Sequence, residues 1–470
     1  MKRHCEQLEA AYAHHHSSSQ YQHHSTRYQR VHRGSSGTRG YKRSRDREIR
    51  LDQYHKYSRA NKWDSMRSES GDRRRSHEGR RSHEGRGHQQ EQRSRRSSRQ
   101  QESRRSSRRK SSYNGSSSQV KDDKEGHLIY RAGDVLQNRY VVHSLLGEGT
   151  FGKCLECYDK KRDRIVALKI IKNIEKYREA AKLEIKVLAK IARKDPEEKK
   201  LCIQLLSTFN HYGHVCLSFP KLGKSVFDFM KENIYQPYTL PQVQHITQQL
   251  LTSVKFMHSI KLTHTDLKPE NMLFVDSSYD KMWNENARQD IHILRNSEIR
   301  LIDFGSATFD EEHHSTIVST RHYRAPEVVL ELGWSQPCDV WSCGCIMFEL
   351  FTGNTLFQTH DNKEHLAMME HILGPIPAHM TNASKKTKYF EGGSLVWDTK
   401  SSEGKYVKDN CKTLKEYVML GQPQRDNSYL YDILRQMLQY DPKDRITAAA
   451  ALKHPYFHHI LYKGASDCSR

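Results

Sequence analysis

The run His264-Thr265-Asp266-Leu267-Lys268-Pro269-Glu270-Asn271 places a carboxylate, an ammonium and an amide within one short stretch. Leu301-Ile302-Asp303-Phe304-Gly305 adds a second carboxylate some thirty positions later. That set suits phosphoryl transfer, which needs a carboxylate near the attacking hydroxyl, oxygen ligands for Mg²⁺ and a cation on the moving phosphate. Asp266, then Asn271 with Asp303, then Lys268 supply these in turn. Thr320 stands five residues before Ala325-Pro326-Glu327, where it can hydrogen-bond both Asp266 and Lys268.

Upstream, Leu146-Gly147-Glu148-Gly149-Thr150-Phe151-Gly152 is a glycine-rich GxGxxG run. Alone it is weak. A dinucleotide fold wants strand, glycines, then helix. Here residues of β type follow, so a hairpin whose glycine tip folds over phosphates fits better. Val166-Ala167-Leu168-Lys169 places a lysine inside an apolar strand, and Glu184 on the next helix is its natural partner across the α/β-phosphates. A plain surface ion pair between Lys169 and Glu184 is the competing reading of those two residues. Five motifs in this order are beyond chance.

These residues must be held by elements. Tyr140–Val142, Cys154–Tyr158, Arg164–Ile171 and Val215–Phe219 read as strands. Ala181, Ile185, Leu188 and Ile191 recur at helical spacing over 179–191, and helical patterns dominate from about Leu240, as in 243–260. Strands first and helices later predict an α+β chain with two lobes of different class in one domain. Residues 276–299 are polar and irregular and read as an insertion between two short strands. Folded structure is expected from near Gly133.

The first 120 of the 470 residues differ in kind. They carry 30 Lys/Arg against 12 Asp/Glu, while the other 350 carry 48 against 44, and they hold five Leu/Ile/Val and no Phe. So little apolar surface cannot offset chain entropy, so residues 1–125 are predicted to be a disordered basic tail. Arg-Arg-Ser-His-Glu-Gly-Arg occurs at 74–80 and again at 80–86, and Arg-Arg-Ser-Ser-Arg at 95–99 and 104–108. Such Arg/Ser repeats suit a basic arm on RNA or acidic partners, or a phosphorylation substrate. A solubilising tail with a nuclear-import signal near 104–110 is equally compatible. The most apolar stretch, 340–351, is too short to span a membrane and carries Glu349. Residues 1–6 lack the apolar run of a signal peptide. Ten cysteines with no export signal read as reduced thiols. The lone Cys154/Cys157 CxxC and the Cys343/Cys345 pair read as packing residues.

On these motifs the chain resembles the eukaryotic protein kinases over roughly 138–457. That implies a two-lobed fold: a five-stranded sheet with one helix (about 138–222), then a helical lobe (about 223–457), and a short C-terminal tail (458–470). The resemblance implies ATP between the lobes, under Gly147, Gly149 and Gly152. Cys154, where a Val is usual, would sandwich the adenine with Ala167 and Leu273. The linker Phe219-Pro220-Lys221-Leu222 would offer the C=O of Pro220 and the N–H of Leu222. Asp339 would brace the catalytic loop and Arg445 would pair with Glu327. Thr265 stands where many such kinases carry Arg, so no cation waits there for an activating phosphate.

A narrower resemblance, to the CDC-like (LAMMER) dual-specificity kinases, rests on several runs. These are Glu364-His365-Leu366-Ala367-Met368-Met369-Glu370, His264-Thr265-Asp266, 311–316, 319–324 and the insertion. His371 departs from that signature, which ends in Arg; Met368 and Met369 read as core. The family implies phosphorylation of Arg/Ser-rich splicing factors, autophosphorylation on tyrosine and a nuclear location. A catalytically dead scaffold is argued against by the full residue set. An RNA-binding protein is argued against by the lack of an aromatic RNA-binding strand motif, although weak RNA contact through the tail stays open.

Overall fold

The computed structural model describes residues 122–285, 288–419 and 427–459. The expectations for the basic tail up to residue 121 and for nearly all of 458–470 lie outside the described residues. Within them the α+β reading holds.

The small lobe is one antiparallel sheet in the order β1-β2-β3-β4-β6-β5. Its strands are β1 (Val135–Leu136), β2 (Tyr140–Gly149), β3 (Gly152–Asp159), β4 (Arg164–Ile171), β5 (Ser207–His211) and β6 (His214–Pro220), with helix α1 (Glu175–Lys194) between β4 and β5. Six strands replace the expected five because Val135 and Leu136 pair with Val141 and Tyr140. Ordered structure begins earlier than Gly133 and reaches into the predicted 1–125 tail: Asp122 bridges Leu128, both His127 and Leu128 are buried, and residues 122–125 are therefore ordered by contacts with the lobe that composition does not reveal. Strand β4 obeys the two-residue period. Val166, Leu168 and Ile170 are buried on one face, so Ala167 and Lys169 face the other way. Helix α1 turns Tyr177, Ala181, Val187, Leu188 and Ile191 inward, and Glu184 with them.

The large lobe begins with α2 (Val226–Glu232) and α3 (Leu240–Ser259). Helix α3 starts at a capping box in which Thr239 and Gln242 satisfy each other's backbone N–H groups. Two short strands, β7 (Leu262–Thr263) and β8 (Met272–Phe274), flank the catalytic-type loop. The insertion is not irregular. It forms a hairpin of β9 (Tyr279–Asn284) and β10 (Gln289–Leu294) in full register. The polar composition that hid it reflects strands that bury little: only Leu294 of the two is fully buried. As expected, the hairpin interrupts a pair, because β8 joins β11 (Ile299–Leu301) antiparallel. Strand β12 (Thr308–Phe309) pairs with β7.

Helix α4 (Pro326–Val329) precedes α5 (Pro337–Thr352), which runs through the centre of the lobe with Cys343, Cys345 and Trp341 fully inside. Helix α6 (Asn362–Leu373) packs Met368 and Met369 at 1% and 0% exposure, as core. No described helix is long and apolar enough to cross a membrane. Cys154 and Cys157 lie three apart on β3 and so on opposite faces, which prevents joint chelation. The eight described cysteines are free.

Candidate active site

Strand β4 presents Lys169 to the cleft. Its Nζ donates to both carboxylate oxygens of Glu184, at 2.8 and 2.9 Å, and stands 3.4 Å from Asp303 Oδ1. This is a buried bidentate pair rather than a surface one. Burial pushes the lysine's pKa down, but Glu184 and Asp303 outweigh it and raise it. The ammonium is therefore a fixed charge at the mouth of the glycine hairpin. Cys154 lies directly across the ladder from both Lys169 and Gly147, and burial pushes its thiol up to about 11. It is an uncharged apolar wall, as read from the sequence. Ala167 pairs with Phe219 and Val166 with Pro220 at the lobe junction. Leu222 is half-buried there, and Leu273 joins through a bridge to Ser225.

The hairpin's glycines divide by role. A Cβ on Gly152 would lie 2.0 Å from Ile170 O, so only glycine lets β3 start there. A Cβ on Gly147 or Gly149 would meet nothing within 4 Å. The protein's own packing does not demand those two glycines, which leaves their backbone open to close approach from the cleft. Leu146 is exposed and Glu148 and Thr150 lie at the tip. Phe151 turns inward, its ring 5.6 Å from that of Tyr177 on α1.

The loop between β7 and β8 is tied down by one buried side chain. Asp339 on α5 accepts from the backbone N–H of His264 (2.8 Å) and of Thr265 (2.9 Å). His258 Nε2 lies 3.0 Å from the same carboxylate, a brace that the sequence reading missed because it comes from the end of α3. Thr265 holds φ at 69°, a region that costs a β-branched residue about 1–3 kcal/mol. Its hydroxyl donates to Ser306 O at 2.9 Å, which links this loop to the segment after Asp303.

Asp266 is then aimed into the cleft. Its Oδ1 accepts from Thr320 N (3.0 Å) and Thr320 Oγ1 (2.7 Å), and its Oδ2 from Lys268 Nζ (2.7 Å). Lys268 also reaches Thr320 Oγ1 at 3.1 Å. Burial lowers the pKa of Lys268, but Asp266 overrides this and raises it. Asn271 donates its amide to Asp266 O at 2.9 Å, which leaves the side-chain oxygen as its acceptor atom. Asp303 has a φ of 61°. Burial raises its pKa, yet Lys169 holds it below the usual carboxylate range, so it is an anion. One ionised carboxylate and one amide oxygen are hard donors that suit Mg²⁺.

Further out, Arg445 donates to both oxygens of Glu327 at 2.8 Å each, as expected. His371, where the LAMMER signature has Arg, lies with Nε2 3.1 Å from Cys411 O, so the shorter side chain still ties α6 to a later loop. Two links were not legible in the sequence. Tyr323 donates to Glu349 at 2.7 Å, and Ser342 to Tyr323 O at 2.7 Å. Both join residues far apart in the chain with no local pattern to announce them.

Residues 140–457 match the family model described as "Protein kinase domain", close to the 138–457 read from the motifs. The chain is 57% identical over 342 residues to the dual specificity protein kinase CLK2 of Mus musculus, covering 73% of this chain and 68% of that one. It is 57% identical over 343 residues to the serine/threonine-protein kinase Doa of Drosophila melanogaster, covering 72% of this chain and 41% of that one. A crystal structure of the PF14_0431 kinase domain superposes with a TM-score of 0.65 at 35% identity, over 71% of this chain and all of that one. Protein kinases as a family use ATP and Mg²⁺. With four of the five motifs assembled around one cleft, the fifth anchored by Arg445 below it, and these likenesses beside them, the chain belongs to the protein kinase family, in its CDC-like dual-specificity branch, and is an enzyme that phosphorylates proteins on serine, threonine and tyrosine.

Proposed function

We propose that the cleft binds ATP under Gly147, Gly149 and Gly152 and phosphorylates Arg/Ser-rich proteins of the splicing machinery in the nucleus. The observation that carries the catalytic part is the fixed carboxylate of Asp266, held by two donors from Thr320 on Oδ1 and by Lys268 on Oδ2. A carboxylate so fixed can orient a substrate hydroxyl and take its hydrogen bond without rearranging. Lys268 stays charged beside it to meet the transferred phosphate, and Lys169 holds the α/β-phosphates. Asn271 and Asp303 would hold Mg²⁺, which neutralises charge on the phosphates. The adenine would lie between Ala167, Cys154 and Leu273, against the backbone of Phe219, Pro220 and Leu222. Transfer of γ-phosphate from ATP to an Arg/Ser peptide tests this; no transfer with Mg²⁺ present would sink it.

The Arg/Ser substrate class and the nuclear location are supported by the chain's own Arg/Ser-rich tail and by its likeness to the dual-specificity relatives. Asp310, Glu311 and Glu312 are exposed just after β12. Asp310 accepts from Gln336 Nε2 and Glu312 from its own Phe309 N–H, so part of the charge is spent locally. Reversing all three charges is expected to raise KM for an Arg/Ser peptide more than for a neutral one. Equal effects on both peptides would reduce them to a solvated acidic loop. Weak RNA contact through the tail is the secondary reading, and binding by residues 1–120 alone should then fall steeply with salt.

The domain is expected to be active without activation-segment phosphate. Uncharged Thr265 already ties the loop to Ser306, so no buried cation awaits neutralisation. The two nearby arginines are engaged: Arg324 bonds Val318 O and Ser319 O, and Arg321 bonds Asn362. Ser319 is 1% exposed with φ of 69°, so a phosphate could reach it only after the segment opens. Phosphatase-treated, mass-verified protein should phosphorylate peptide without a lag. A lag abolished by pre-incubation with ATP would reverse this reading. A phosphate on Thr320 should inhibit, because it would replace a donor to Asp266 with negative charge.

A further inference from the structure

Residues 122–128, the first four of which fall inside the predicted tail, lie before the matched kinase domain and form a strap with contacts to three parts of the small lobe. Asp122 reaches His214 Nε2 (3.0 Å) and accepts from Asn173 Nδ2 (3.0 Å). Asp123 closes a tight turn by accepting from the N–H groups of Glu125 and His127. Gly126, at φ +82°, turns its carbonyl to Asn173 N–H at 2.8 Å, and an added Cβ would meet Ile174 at 3.0 Å. Ile174 is the N-cap of α1 and offers no side-chain cap of its own. The strap thus fixes the start of the helix that carries Glu184.

The strap's other end faces the glycine hairpin. Asp123 lies 3.5 Å from Lys153, which also approaches Glu148 at 3.9 Å, and Glu125 lies 3.4 Å from Lys172. Lys172 N–H donates to Phe151 O in the hairpin turn at 2.9 Å. At the centre is His127, 2% exposed, with neither ring nitrogen hydrogen-bonded. Its Nε2 stands 3.4 Å from Glu148 Oε1, between the two phosphate-facing glycines. A buried ring without a hydrogen-bond partner is costly; Glu125 Oε2 stands 3.8 Å from the same nitrogen, and a small shift of the nearer Glu148 would let it accept from the ring.

We propose that the strap is a positioning element of the nucleotide site. His127 gains its hydrogen bond to Glu148 when the glycine hairpin closes on ATP, so ring satisfaction and nucleotide binding favour each other. Segment 122–128 is on this view part of the working kinase rather than the end of the tail. The inference rests on the reading of the cleft as the ATP site.

The test uses the full chain with His127→Ala, His127→Gln and His127→Asn. Gln places an amide near the Nε2 position and Asn only near Nδ1. For His127→Ala, KM for ATP is expected to rise about 3–10-fold, the scale of a lost polar contact, with kcat and peptide KM within about twofold. His127→Gln should recover much of the loss and His127→Asn little of it, a comparison that survives if the alanine variant does not fold. In a Glu148→Ala background, His127 substitution should add nothing. The strap's role is overturned by an unchanged KM for ATP. It is equally overturned by an effect that persists undiminished without Glu148, or by a lowered melting temperature with equal loss for Gln and Asn. If Lys169→Met kept full turnover, the ATP-site reading itself would fail; if that variant is inactive while KM for ATP is unmoved in His127→Ala, the strap alone fails.

Discussion

Asp266→Asn is expected to lower kcat by about 10²–10⁴-fold, the range that positioned acid–base groups contribute, or roughly 3–5 kcal/mol at 1.36 kcal/mol per tenfold. The amide keeps the size but cannot accept at both oxygens. It would meet Lys268 Nζ or the Thr320 donors, 2.7–3.0 Å away, with an NH₂ group. Lys169→Arg should lose most activity by a different route. A longer planar head does not reproduce the ammonium that sits within 2.9 Å of both Glu184 oxygens. Purified variants assayed for kcat and KM on an Arg/Ser peptide check both. Near wild-type turnover in the two together would mean that the catalytic centre lies elsewhere.

The largest effect on stability is expected at Arg445. Its side chain and that of Glu327 are 0% and 2% exposed, and removing one partner of a buried pair costs about 3–5 kcal/mol because the other charge is stranded. Arg445→Met would strand the Glu327 carboxylate and also remove the donor that the guanidinium gives to the carbonyls of Gln439, Pro337 and Tyr440 at 2.9–3.0 Å. Its contact with the Trp341 ring at 5.3 Å would go too. Urea unfolding of the single variant should show the loss, and the double variant with Glu327→Leu should be the less destabilised of the two. A double variant as unstable as the single would show that the stranded carboxylate is not the cause.

The parts of this protein legible in its sequence are those with local patterns. Strand β4 is a short apolar run with one lysine in it, so its strand character and the need of Lys169 for a partner were legible, while its place in the cleft was decided only by the fold. The runs around Asp266 and Asp303 are contiguous and carry their chemistry within a few residues. Helix α5 is apolar over most of its surface, so its burial was legible, but not the partners of its buried Asp339 and Glu349. Strand β1 and the hairpin of β9 and β10 were not legible. The first is two residues long, and the second buries so little that no alternation of apolar residues marks it.

Which residue types are available for the proposed chemistry was therefore legible in the chain itself, down to the two lysines, the two aspartates and the asparagine. What only the tertiary structure decided is how each is held. Asp339 reaches back more than seventy positions to bind the backbone beside Asp266, and Thr320 arrives from more than fifty positions away to fix one oxygen of that carboxylate. Asp122 meets His214 across more than ninety. Such contacts join groups that are strangers in the sequence. A hydrogen bond needs a donor and acceptor about 3 Å apart, and sequence spacing fixes that distance only within a turn, a helix or a strand. Beyond those, the packing of one element on another brings the groups together.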